Sequence, residues 1–189
     1  VFLLSSPAAT AQDCDAALHL LKTAAQAGHG GAMLMLGDIY LRGQIAGREV
    51  MPADLPQAAE FYKQAIKAGA DDALFGLGVA CKLLHDYARA AACFHESAYR
   101  FGRRESLREY GICTYMGQGV PANRDKGREL IRRAALMDPE FSELGRRYLS
   151  ENFGIDLPLP DAAEREERRR QRDLWRDSRR ARADNWREE

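Results

Sequence analysis

Cys81 and His85 stand one helical turn apart, and Cys93 and His95 follow in the next stretch. Two thiols and two imidazoles form a familiar donor set for structural zinc, so a Cys2His2 site is the first chemistry to weigh. Cys93 and His95 are only two positions apart, however, and on a helix such residues point to different faces. The same segment suits a helix-to-helix disulfide between Cys81 and Cys93 better, and that bridge is expected ahead of a metal. The four cysteines, Cys14, Cys81, Cys93 and Cys113, allow three pairings. None forms a Cys-x-x-Cys pair, which leaves zinc ribbons and thioredoxin-like exchange unsupported. His95 and Ser97 are no catalytic pair, because Ser97 falls on a stripe of small residues described below. Neither a phosphate-cradling loop after a strand nor a nucleophile elbow is present. The expectation is a non-enzyme with no metal and no cofactor.

The elements that carry these residues repeat. Ala32, Gly37 and Tyr40 recur as Ala73, Gly78 and Cys81, and again as Ser106, Gly111 and Thr114. The copies are offset by 41 and then 33 residues. A second pattern interleaves with the first: Ala58, Tyr62 and Ala65 follow Asp54, Ala90, Phe94 and Ser97 follow Asp86, and Gly127, Ile131 and Ala134 follow Asn123. Upstream, Ala17, Leu21 and Ala24 follow Asp13 at the same spacing. Positions i, i+4 and i+7 share one face of a helix, and the leading Asp or Asn stands where an N-cap would. The unit is therefore a glycine-bearing helix A followed by a small-large-small helix B. Glycine costs a helix about 1 kcal/mol relative to alanine, so its return at one register implies a close approach by another helix. Such pairs bury their apolar faces only by stacking on neighbours.

The stretch Tyr110-Gly-Ile-Cys-Thr-Tyr-Met-Gly117-Gln-Gly119-Val120, with Asn123 and Arg132-Arg133-Ala134-Ala135, resembles a Sel1-like repeat. Leu36–Gly43 and Tyr62–Gly69 fit the same pattern. The resemblance runs from about Asp13 to Ser150, ending in a capping helix near Pro139–Ser150. It implies an all-α, right-handed α-solenoid of helix-turn-helix repeats with a charged C-terminal helix. It also implies a protein or peptide partner on the concave face lined by the A helices. Counting around those helices places Met35, Asp38 and Arg42, then Val79, Lys82 and Leu83, then Glu109, Ile112 and Tyr115 on that face.

The ends read differently. Val1–Leu4 is apolar and Ala9-Thr10-Ala11 fits a signal-peptidase site, so residues 1–11 are expected to be the remainder of a signal peptide, cut near Ala11-Gln12. Residues 12–150 form the repeat region. A connector with Pro158 and Pro160 occupies 151–160, and a charged helix or disordered tail occupies 161–189. In the tail, Glu164–Arg168 and Glu166–Arg170 are favourable i,i+4 pairs, and Trp175 and Trp186 would share a helix face.

The 189 residues hold 28 Lys or Arg against 28 Asp or Glu, so the chain lacks the one-signed field that nucleic acid or an anionic membrane attracts. Apolar runs fall short of the roughly 18 residues that span a bilayer. The leading expectation is an exported periplasmic or secreted interaction module, of regulatory or immunity-type inhibitor character. Two alternatives are a β-lactam-binding or hydrolysing cysteine-rich Sel1-type enzyme and an envelope scaffold that self-associates through residues 161–189.

Overall fold

The computed structural model describes residues 10–137 and 143–156, together with the isolated positions 163, 166, 167, 170 and 173. Its elements are α1 (Ala11–Gln26), α2 (Gly30–Arg42), β1 (Gln44–Ile45), β2 (Arg48–Glu49), α3 (Leu55–Lys67), α4 (Ala73–Leu83), α5 (Tyr87–Arg100), α6 (Arg104–Met116), α7 (Arg124–Leu136) and α8 (Glu143–Phe153). The fold is all-α, in the solenoid class of Sel1-like repeats. Two compact units divide within α5, one ending at Ser97 and the other beginning at Ala98.

In the first unit, α1 packs on α2, α2 on α3 and α3 on α4, while α2 also touches α4. The B-helix stripes are buried: Ala58, Tyr62 and Ala65 on α3, and Ala90, Phe94 and Ser97 on α5, are at most 1% exposed. The A-helix glycines explain how. A Cβ on Gly37 would lie 2.6 Å from the Tyr62 ring, and one on Gly78 would lie 2.6 Å from the Phe94 ring. Gly76 notches α4 on its other side, where a Cβ would come within 2.5 Å of Tyr62. Residues two apart on a helix face roughly opposite ways, so Gly76 meets the preceding B helix and Gly78 the following one. Each notch converts a helix-propensity cost into room for an aromatic ring.

In the second unit, α6 packs on α7. Gly111 faces Ile131, where a Cβ would approach the Ile131 side chain to 2.9 Å. Gly127 takes the first small position of the α7 stripe, where α3 and α5 carry Ala58 and Ala90. A Cβ there would lie 2.6 Å from the Tyr115 backbone nitrogen, so the helices cross too closely for any side chain. Leu149, Phe153 and Ile155 join Ile131 and Ala135 in one apolar cluster. Packing in the second unit therefore reaches past Ser150, into residues expected to be connector. Arg147 on α8 is exposed.

Two further local features differ from the sequence pattern. Asp13 is not the cap of α1: Thr10 is, and Asp13 closes a capping box with it, the Thr10 N–H donating to Asp13 Oδ2 at 2.8 Å. Asp54 and Asn123 do cap α3 and α7, and Asp86 accepts from the Arg89 N–H at 3.2 Å. The segment Gln44–Ala53, which separates α2 from α3, contains a small antiparallel ribbon, with Ala46 and Gly47 both at positive φ. Ile45 is buried beneath it against Cys14 and Ile39. In the tail, Glu166 and Arg170 make the expected i,i+4 pair at 3.7 Å. Trp175, Trp186 and most of the tail lie outside the described residues.

Candidate functional site

On α2 and α4, Met35, Asp38, Val79 and Lys82 are half-buried, while Arg42 and Leu83 are exposed. Their neighbours Leu36, Ile39, Ala80 and Cys81 are at most 6% exposed. The packing thus leaves Arg42 and Leu83 open, while Met35, Asp38, Val79 and Lys82 lie at the margin of the packed side. Asp38 is partly committed to the fold, because its Oδ1 accepts the Tyr62 hydroxyl at 2.6 Å. Burial first, then the Asp38 carboxylate, pushes the Tyr62 phenol well above its usual pKa, with Arg42 pulling weakly the other way. At the ends of α2 and α4, Tyr40, Leu84 and the Met51–Pro56 strand of chain border an open, mainly apolar hollow. Sequence spacing did not reveal that hollow, since it depends on where the ribbon folds back.

On α6, Glu109 pairs with Arg108 at 3.2 Å. Ile112 and Tyr115 are half-buried against the cluster of Ile131, Leu149 and Phe153. The Tyr115 ring meets Phe153 edge-on at 5.2 Å, and the Arg124 and Arg128 guanidiniums lie 5.9 and 5.8 Å from its centroid. None of the nine sequence-selected positions is fully buried.

The cysteine expectation is revised. All four thiols are free, including Cys81 and Cys93, so the expected bridge is not formed. Burial raises the Cys81 thiol pKa, with Asp86 adding to the effect. Burial, then the neighbouring Cys81, pushes Cys93 to about 11. Thiols held that high stay protonated at neutral pH, which makes them slow to exchange and poor nucleophiles. His85 has a left-handed backbone conformation, with its Nδ1 2.8 Å from the Tyr87 hydroxyl. His95 is exposed on α5. Among the described residues no three His, Cys, Asp or Glu side chains gather as metal ligands.

The Sel1 repeat profile matches residues 7–29, 31–69 and 104–139, more than half of the chain. This protein belongs to the Sel1-repeat family. Residues 70–103 lie outside the matched stretches, yet Gly78 and Phe94 reproduce there the contact made by Gly37 and Tyr62. The Sel1 family match begins at residue 7, upstream of the expected cleavage point. No curated protein matches the sequence. Among solved structures, the Sel1-repeat chain is similar to c5321, a protective antigen present in uropathogenic Escherichia coli strains displaying an SLR fold. The TM-score is 0.62 at 16% identity, over 97% of this chain and 40% of that one. This chain thus spans less than half the length of that neighbour, and the likeness is one of fold. Sel1 repeats point to protein–protein interaction, and among the described residues no helix is long and apolar enough to cross a membrane.

Proposed function

We propose that this Sel1-repeat chain is a non-catalytic adaptor that holds a protein partner against its A helices, as a regulatory or inhibitor subunit would. In the first unit the partner meets Met35, Arg42, Val79, Lys82 and Leu83, with Asp38 behind them. The corresponding positions of the second unit, taken by itself, are Glu109, Ile112 and Tyr115. The observation that carries this reading is the division of the A helices: residues of one side are consumed by packing, while Arg42 and the 51%-exposed Leu83 are not. A surface that offers an arginine and an exposed leucine suits a protein better than a small metabolite.

Export to the periplasm belongs to the same proposal and rests on Val1–Leu4 and Ala9-Thr10-Ala11. The test is co-purification from envelope extract. The wild-type chain retains a defined partner, and Arg42→Glu with Leu83→Asp loses it while melting at the wild-type temperature. Retention by the double variant overturns the assignment. Recovered protein should begin at Gln12; an N-terminus upstream of Thr10 contradicts export by cleavage there.

A further inference from the structure

Overall neutrality conceals an uneven distribution of charge. Residues 10–97 carry seven Lys or Arg against ten Asp or Glu, whereas residues 98–137 carry nine against four. Much of that excess is ordered on α7. Arg124, Arg128 and Arg132 follow one another at i, i+4 and i+8, so they form a row on one helix face with steps of about 6 Å. All three are exposed.

The row is backed by aromatic rings. Arg124 and Arg128 lie over Tyr115, and Arg128 Nε donates to the Phe153 carbonyl oxygen at 2.8 Å. Stacking of this kind holds guanidiniums in place, and Arg128 Nη1 also lies 4.0 Å from the exposed Asp125 Oδ1, a contact that an incoming carboxylate would replace. Phe153 in turn meets Tyr148 at 6.0 Å, and Tyr148 is 53% exposed. A chain of rings therefore runs from the buried Phe153 to solvent.

The composition selects the partner. Asp125 and Glu129 sit one position from Arg124 and Arg128, breaking the continuous positive field that a phosphodiester chain requires. Separate carboxylates can instead meet separate guanidiniums bidentately. Arginine and tyrosine, with the 59%-exposed Met116 next to Tyr115, are the residue types enriched where proteins meet. We propose that the arginine row of α7, with Tyr148, docks an acidic protein segment whose carboxylates recur one helical turn apart and whose aromatic anchor seats against Tyr148. This rests on reading the chain as a protein-binding module but, Tyr115 apart, uses residues outside the A-helix positions, so the two assignments fail separately.

The experiment is fluorescence anisotropy on the full chain at low salt. The probe is a labelled helical peptide with glutamate at every fourth position and one central tryptophan, compared with its tryptophan-to-alanine version. The expected result is saturable binding that weakens with salt and falls roughly ten-fold or more in Arg124→Glu with Arg132→Glu. Tyr148→Ala should abolish the advantage of the tryptophan peptide, and Lys22→Glu in the first unit should change nothing. Arg128 stays intact because of its bond to Phe153, and equal melting temperatures exclude misfolding of the exposed-site variants. Undiminished binding by the double variant, no binding of the peptide, or tighter binding of single-stranded DNA or phosphatidylglycerol vesicles overturns the proposal.

Discussion

Tyr62 donates its hydroxyl proton to Asp38 Oδ1 at 2.6 Å, tying helix B of the first complete pair to its own helix A. The ring below that hydroxyl is fully buried between Gly37 and Gly76. Hydrogen bonds to a charged group contribute about 1.5–3 kcal/mol, so Tyr62→Phe should lose an amount in that range by urea unfolding, with little change in helicity. A neutral substitution would mean that the carboxylate is equally well solvated without the phenol.

The same pair makes stability fall in alkali. The folded phenol has a raised pKa, chiefly through burial and secondly through Asp38. The folded state thus keeps a proton that the unfolded chain, titrating near 10, gives up. The contribution is whole below about pH 10 and declines as pH rises above it. Unfolding midpoints measured from pH 8 to 11 should drop more steeply for the wild type than for Tyr62→Phe; parallel curves would contradict this.

Replacing a notch glycine sets two effects against each other. Gly78→Ala gains about 1 kcal/mol of helix propensity, but its Cβ would lie 2.6 Å from the Phe94 ring. Overpacking of a close-packed core costs about 1–3 kcal/mol, and the ring is fully buried, so net destabilisation is expected. Chemical denaturation of Gly78→Ala decides the sign, and a stabilised variant would show that the helices can separate freely.

Thiol chemistry should be slow. Cys93 is half-buried and raised to about 11, whereas Cys14, Cys81 and Cys113 are buried. Alkylation of native protein should label Cys93 first, at a rate that climbs with pH toward 11, and the other three only on unfolding. A Cys81–Cys93 peptide in a non-reducing digest of the native protein would contradict the free-thiol arrangement.

Thr10 caps α1 and receives Asp13 in return. Thr10→Ala should cost about 1 kcal/mol in protein that retains this residue. The same change should be without effect if the chain is cut after Ala11, so thermal melts of the two forms separate the cap from the proposed processing.

The repeat was legible because each large B-helix residue answers an A-helix glycine: Tyr62 to Gly37, Phe94 to Gly78 and Ile131 to Gly111. Spacing alone carries that register. Gly76 was harder to interpret, since a second glycine two residues before the first serves a different neighbour. The Gln44–Ala53 ribbon escaped because its turn uses Ala46 at positive φ, where asparagine or glycine would be the usual signal. Phe153 and Ile155 looked like connector because the prolines beyond them dominate the local pattern, yet their burial is decided by Ile131, more than 20 positions away. Asp38 was selected for a partner but also bonds to Tyr62, which makes it a poor site for a charge-reversal test.

The most direct measurement is site-specific photo-crosslinking of the envelope-expressed chain, with the reactive residue placed at Leu83 on the open side of α4 or at Gln64 on the solvent side of α3. The adaptor reading predicts a discrete partner adduct from position 83 and none from position 64. Adducts of equal yield at both positions, or at position 64 alone, would contradict it.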